Sequence, residues 1–158
     1  VGGSMHIIMH AFGKITLFFC AGAIYITTNK TKVSEMTQLG RTMPVTMFAF
    51  LIGSLSVIGL PPFGGLWSKW YLIKGVVDAE HGILVIILII SSLLNIAYLM
   101  PVAVRAFFAG PWEPVNKTKL KEAPLFCVVP LCITSAGCLI LFFFADNLYW
   151  FLTGIVPK

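Results

Sequence analysis

The sequence predicts an all-α protein, a polytopic transmembrane helix bundle of about five membrane segments in which one helix is broken by proline and glycine. Hydrophobic residues make up 58% of the 158 residues and charged residues only 11%, whereas soluble domains carry about 25% charged residues. The apolar residues are gathered in long runs that short polar loops separate. One run ends at Pro61-Pro62-Phe63-Gly64-Gly65, a motif that interrupts a helix.

The predicted membrane segments are residues 4–27, 43–60, 66–77, 82–108 and 123–145. The first is long enough to lie inside a bilayer, and the fourth is the most hydrophobic. The second begins near Pro44, where proline is tolerated because the first N–H of a helix has no partner within it. The third is short for a span and carries Lys69. A final amphipathic piece, residues 147–153, holds Tyr149 and Trp150, which are typical of a membrane–water interface.

Several function classes are disfavoured by what the chain contains. Its net charge of +5 is spread over loops and helix ends, so no nucleic-acid partner is expected. No nucleophile–base pair, phosphate-binding loop or cofactor pattern is visible, and we therefore predict no catalytic residues and no cofactor. The cysteines form no C-x-x-C pair and are interpreted as small core residues rather than as a metal site; they are Cys20, Cys127, Cys132 and Cys138.

His6, His10 and Lys14 recur every four residues and lead into the apolar run that starts at Ile15. Four residues is slightly more than one helical turn, so the three side chains lie on one face of a helix. Titratable groups along an intramembrane helix are costly and typical of a proton path. The alternatives are that Lys14 snorkels towards the membrane surface and that the histidines are structural. A zinc site lacks a third ligand.

Lys69 follows the Pro/Gly break and stands between Trp67 and Trp70. Unwound backbone carbonyls and water can hold a charged ammonium group, which favours a functional site. The alternative is an interfacial lysine within an aromatic belt. All six acidic residues fall in loops or at segment ends, so neither Lys14 nor Lys69 has a carboxylate partner within a predicted span.

The fourth segment carries a polar row of Ser91, Asn95 and Tyr98 at heptad-like spacing. These residues are candidates for lining a polar path. The alternative interpretation is that Asn95, which lies in the middle of the segment, makes a hydrogen bond between helices.

Two segments together resemble a known family. Residues 6–18 (His6-x-x-x-His10-Ala11-Phe12-Gly13-Lys14-x-x-Leu17-Phe18) and residues 59–69 (Gly-Leu-Pro-Pro-Phe-Gly-Gly-Leu-Trp-Ser-Lys) are similar to signatures of the antiporter-like membrane subunits. Residues 100–108 and 121–124 also resemble this family, which is shared by respiratory complex I, Mrp-type cation/proton antiporters and membrane-bound hydrogenases.

The resemblance implies that residues 1–158 are the C-terminal part of an antiporter-like transmembrane domain built from inverted repeats. It also implies that Lys14, Lys69, His6 and His10 belong to a hydrated proton path. The chain starts at Val1 rather than at a methionine, and we expect it to be a piece of a longer protein.

The resemblance implies a proton-translocating subunit of a Mrp-type monovalent cation/proton antiporter. The expected partners are other membrane subunits, the lipid bilayer, protons and sodium, and the expected location is the bacterial inner (plasma) membrane. The alternative is a proton-pumping subunit of a complex I-type NADH-quinone oxidoreductase or a related membrane hydrogenase, in which the chain would be part of a translocase. A purely structural membrane anchor is a third hypothesis.

Overall fold

A computed structural model describes residues 1–109 and 121–155 of the chain. These residues form the helices α1 (Gly2–Thr28), α2 (Leu39–Thr42), α3 (Pro44–Ile58), α4 (Gly65–Asp78), α5 (Gly82–Phe108), α6 (Leu125–Phe143) and α7 (Ala145–Ile155). One turn of 3-10 helix, Val33–Glu35, lies in the loop before α2. No β-strand is present in the described ranges, and the predicted all-α fold class is confirmed.

Three of the helices, α1, α5 and α6, are long and apolar enough to cross a membrane. The helix α3 is apolar but shorter, and only the break at residues 59–64 separates it from α4. The chain is therefore an integral membrane protein whose functional groups must be sought within and between these helices.

The helix α1 is central, since it packs against α3, α4 and α6. It approaches α3 closely where Gly13 faces Gly53. A Cβ atom added to Gly13 would lie 2.8 Å from the Val57 side chain, and one added to Gly53 would lie 3.2 Å from Thr16. Small residues allow two membrane helices to approach in this way, and the contact fixes the position of α1 against the broken helix.

Two clusters of buried side chains lie on either side of the break. The larger one joins the second half of α1 to α2, α3, α6 and the end of α5, with Met47 and Leu131 completely buried in it. The smaller one surrounds Met5 and Met9 of α1 and includes Trp67 of α4. Since Ile58 belongs to the first cluster and Trp67 packs against the second, the chain passes from one core to the other across the break.

The helix α5 is the least covered of the candidate spans, with only 6% of its most apolar stretch buried. Its buried residues all lie in its C-terminal half and are Leu99, Val102, Ala103 and Ala106. Of the cysteines, Cys20 and Cys138 are buried and Cys127 and Cys132 are half-buried, all of them free thiols. Their positions agree with the interpretation that they fill the core.

Candidate functional site

The helix break follows from two successive prolines. In a continuous helix the carbonyls of Val57 and Ile58 would accept the N–H groups of residues 61 and 62. Both of those residues are proline, which has no N–H, so the helix cannot continue with its carbonyls satisfied. The chain instead leaves α3 through Gly59, whose φ of 90° lies in the left-handed region that glycine tolerates.

The irregular backbone of the break is paired with a neighbouring helix. The Gly64 N–H donates to the carbonyl of Cys138 in α6 at 3.0 Å, and the Phe63 N–H donates to the Leu60 carbonyl at 3.1 Å. A Cβ atom on Gly65 would lie 1.7 Å from the Ser56 carbonyl oxygen, so this position accepts only glycine. Such pairing is what allows non-helical backbone at membrane depth.

Lys69 crosses the break and bonds the carbonyl that the prolines leave free. Its Nζ donates to the Ile58 carbonyl oxygen at 2.7 Å and to Ser92 Oγ of α5 at 2.8 Å. Ser92 in turn donates its hydroxyl hydrogen to the Leu88 carbonyl at 3.0 Å. The half-buried ammonium group therefore sits at the C-terminal end of α3, where the helix dipole favours positive charge.

The two predicted histidines lie side by side on α1 and face the start of α4. His6 Nδ1 is 3.1 Å from Ser68 Oγ. Because the Ser68 hydroxyl donates to the Gly65 carbonyl, His6 donates from Nδ1 in this arrangement, and in the neutral imidazole Nε2 is then an acceptor. The His6 and His10 rings stack with centroids 5.1 Å apart and planes inclined by 29°.

Lys14 lies one turn beyond His10 on α1 and is half-buried. In the described part of the chain it makes no hydrogen bond or ion pair. His10 lies within electrostatic range of His6, Lys14 and Lys69. His6, His10 and Lys14 thus extend over about 12 Å of α1, and His6 contacts the residue that precedes Lys69.

The polar row predicted on α5 is placed differently from this cluster. Within α5, Tyr98 donates its hydroxyl hydrogen to Asn95 Oδ1. Ser91 and Tyr98 are exposed on the outer face of α5, and Asn95 is half-buried. The expectation that these residues line a path remains a prediction.

Two serines of the site were not predicted. Ser68 precedes Lys69 and holds His6, and Ser92 is the residue next to the predicted Ser91. Ser92 lies seven residues before Leu99 and eleven before Ala103, and the burial of those two residues in the structure places it on the inner face of α5. Which face of α5 is buried depends on helix packing, so the sequence alone does not single out Ser92.

The described ranges contain no group of three His, Cys, Asp or Glu side chains that could hold a metal ion. The carboxylate with a defined role there is Glu122, which is distant in sequence from the site. It accepts the Val45 N–H at 2.7 Å and the Thr46 hydroxyl at 2.8 Å, at the N-terminus of α3.

Comparison with known proteins gives a consistent assignment. A protein-family model described as NADH:quinone oxidoreductase/Mrp antiporter, transmembrane, matches residues 2–95. The chain is 34% identical over 157 residues to the NADH-quinone oxidoreductase subunit N of Desulforudis audaxviator, covering 93% of this chain and 31% of that protein. It is 32% identical over 158 residues to a Na(+)/H(+) antiporter subunit of Bacillus subtilis, covering 93% of this chain and 20% of that protein.

A solved structure has a similar fold. The Mrp complex from Dietzia sp. contains a chain that superposes with a TM-score of 0.79 at 20% sequence identity, covering 93% of this chain and 35% of that one. The chain thus spans about a third of the length of subunit N and of the Mrp chain.

Proposed function

Because the chain belongs to the NADH:quinone oxidoreductase/Mrp antiporter transmembrane family, we propose that it is the C-terminal part of a proton-translocating membrane subunit. Within that family we propose a Mrp-type monovalent cation/proton antiporter, located in the bacterial inner (plasma) membrane beside other membrane subunits. Protons, and sodium as the exchanged cation, are its proposed substrates.

The observation that carries this proposal is the position of Lys69. A lysine inside a bilayer is costly, by roughly 2.5–3.5 kcal/mol at the centre of a span. Here the amine is held by a main-chain carbonyl and a serine hydroxyl, next to two stacked histidines. A lysine that served only as an interfacial anchor would not need these partners.

In the proposed mechanism, Lys14 and Lys69 change protonation state, and His6 and His10 pass protons between them with water. Stacked imidazoles can each accept a proton on one nitrogen and release one from the other. Since His10 is within electrostatic range of both lysines, a proton gained by one lysine lowers the affinity of the neighbouring groups for the next proton. Successive repulsion of this kind moves charge along α1.

A second candidate function is a proton-pumping membrane subunit of a complex I-type NADH-quinone oxidoreductase. The 34% identity to the subunit N of Desulforudis audaxviator favours it. The same lysines and histidines would then be driven by the redox reaction of a partner arm, whereas the antiporter would be driven by a cation gradient.

The test uses the full-length protein in its assembled complex, in everted membrane vesicles, with acidification followed by a pH-sensitive dye. Lys14→Ala and Lys69→Ala are compared with Lys74→Ala, a lysine exposed near the end of α4. We expect both relay substitutions to lower proton flux at least tenfold and Lys74→Ala to leave it unchanged. Wild-type flux in both relay variants would overturn the proposal and favour a structural anchor.

The two driving forces are separated in the same vesicles. Sodium-dependent proton flux in the absence of NADH and quinone supports the antiporter. Flux that requires NADH and quinone, with none in response to sodium, overturns the antiporter assignment and supports the complex I-type pump.

A further inference from the structure

Ser92 is the α5 partner of the Lys69 amine and has no part in the relay proposed above. An ammonium group has three N–H donors, and two of them are directed at fixed acceptors, the Ile58 carbonyl and Ser92 Oγ. The described ranges provide no acceptor for the third. From this geometry we infer that Ser92 is a positioning residue, which holds the Lys69 amine so that one N–H is left to exchange its proton in a fixed direction.

The hydroxyl of Ser92 can only accept from Lys69, because its own hydrogen is used. Ser92 donates to the Leu88 carbonyl one turn earlier on α5, so its lone pairs face the amine. The Ile58 carbonyl has no alternative donor, since residue 62 is proline. Both acceptors are therefore left for Lys69. Pro62 offers no N–H to the Ile58 carbonyl, and the Ser92 hydroxyl hydrogen is used within α5.

This arrangement lets the amine change charge without moving. A neutral amine retains two N–H donors and gains one lone pair. It can keep its bonds to Ile58 and Ser92 while the lone pair takes the direction of the released proton. The inference rests on the proposed function and adds to it the residue that fixes the direction of exchange at Lys69.

A cavity of about 150 Å³ lies next to the amine, between α4 and α5. It is lined by Lys69 and Ser92 and by the apolar side chains Ile73, Leu88, Ile89 and Leu93. Its volume is several times that of one water molecule, but an apolar cavity takes up water only where polar atoms hold it. The polar atoms at this cavity belong to Lys69 and Ser92, since the other lining side chains are apolar.

Few other charged groups face Lys69 from the helices packed against it. The helix α1 carries His6 and His10, which are within electrostatic range of Lys69, and Lys14, which is within range of His10. The helices α3 and α6 contain no charged residue, and the single charged residue of α5, Arg105, is thirteen positions beyond Ser92. On α4 itself, Lys74 and Asp78 lie one or more turns further along in exposed positions. Changes in pH dependence on altering Ser92 are therefore assigned to Lys69 and the groups coupled to it, which are the two histidines and Lys14.

The experiment compares Ser92→Thr with Ser92→Val in the full-length protein within its complex, in everted vesicles. The two side chains have nearly the same shape, and only threonine keeps the hydroxyl. We expect Ser92→Thr to retain flux within about twofold and Ser92→Val to lose roughly tenfold. The remaining flux of Ser92→Val should have a pH dependence that differs from that of the wild type, because the Lys69 amine has lost an acceptor.

The control is Ser135→Ala on α6, where a buried serine likewise donates to a carbonyl of its own helix but bonds no lysine. Its flux and pH dependence should remain those of the wild type. Flux is divided by the amount of assembled complex, so that poor folding is not counted as lost transport. Equal flux and equal pH dependence in Ser92→Thr and Ser92→Val would overturn the inference.

Lys69→Ala in the same preparation separates the two proposals. If it abolishes flux while Ser92→Val behaves as wild type, the relay stands and the role of Ser92 is wrong. If Lys69→Ala and Lys14→Ala both transport normally, the proposed function fails first and the inference fails with it.

Discussion

Glu122 and Lys69 bind opposite ends of α3, although neither residue belongs to that helix. The Glu122 carboxylate accepts the Val45 N–H at the N-terminus, and the Lys69 ammonium donates to the Ile58 carbonyl at the C-terminus. Each charge has the sign that the helix dipole favours at its end. A helix of 15 residues that ends at a Pro/Gly break is thus held at both termini by side chains from other segments.

Glu122→Ala should destabilise the protein by removing the cap of α3. The Val45 N–H and the Thr46 hydroxyl lose their acceptor, and N-terminal caps contribute about 1 kcal/mol, with a range of roughly 0.5–2 kcal/mol. The measurement is the thermal unfolding of the purified full-length complex in detergent. Glu122→Gln keeps an acceptor oxygen without the charge, and its unfolding temperature should fall between those of the wild type and Glu122→Ala. An unchanged unfolding temperature in Glu122→Ala would contradict the capping role.

Gly65→Ala should prevent the chain from turning into α4. The added Cβ would lie 1.7 Å from the Ser56 carbonyl oxygen, a contact that requires the backbone to move and costs roughly 3 kcal/mol or more. The matched control is Gly75→Ala in the same helix, where no atom lies within 4 Å of the new Cβ. That control should gain about 0.5–1 kcal/mol from helix propensity. The amount of assembled complex in the membrane, together with its unfolding temperature, measures both effects.

Ser68→Ala should slow proton transfer through His6. It removes the partner of His6 Nδ1, which leaves the imidazole free to rotate and to change tautomer. A lost neutral hydrogen bond corresponds to roughly a 3- to 10-fold reduction in flux. Ser135→Ala is the matched control, because Ser135 is also buried and also donates to the carbonyl three residues earlier, but it bonds no histidine. If the two variants have the same flux in everted vesicles, Ser68 does not orient His6.

Lys69→Met should lower stability as well as transport, because the Ile58 carbonyl loses its donor. A buried acceptor without a partner costs about 1–3 kcal/mol. Lys74→Met replaces an exposed lysine one turn further along α4 and should change the unfolding temperature little. Chemical denaturation of the two variants in detergent gives the difference directly. Equal stability would mean that water or another group serves the carbonyl equally well.

The fold class could be predicted because each of its causes is local. Long apolar runs require helices in a bilayer, and two adjacent prolines followed closely by two glycines end a helix in any context. The face shared by His6, His10 and Lys14 follows from helical periodicity alone. Family membership was likewise indicated by motifs that are continuous in the sequence, residues 6–18 and 59–69.

The partners of the site could not be predicted in the same way, since they depend on how helices are rotated and placed against one another. Heptad spacing drew attention to Ser91, whereas the α4–α5 packing brings Ser92 to Lys69. The Glu122 cap joins residues 77 positions apart, and nothing in the local sequence of either segment indicates it. The relay roles of Lys14, Lys69, His6 and His10 remain predictions for the flux measurements.

The Lys69 amine can bond the Ile58 carbonyl oxygen because the two prolines leave that oxygen without a main-chain donor. If Pro62 were replaced by a residue with a main-chain N–H, that N–H would compete with the lysine for the Ile58 oxygen and would draw the broken helix towards continuity. A substitution that restored a continuous helix would therefore free the Lys69 amine from the Ile58 carbonyl oxygen. A regular backbone and a fixed lysine amine exclude each other at this position.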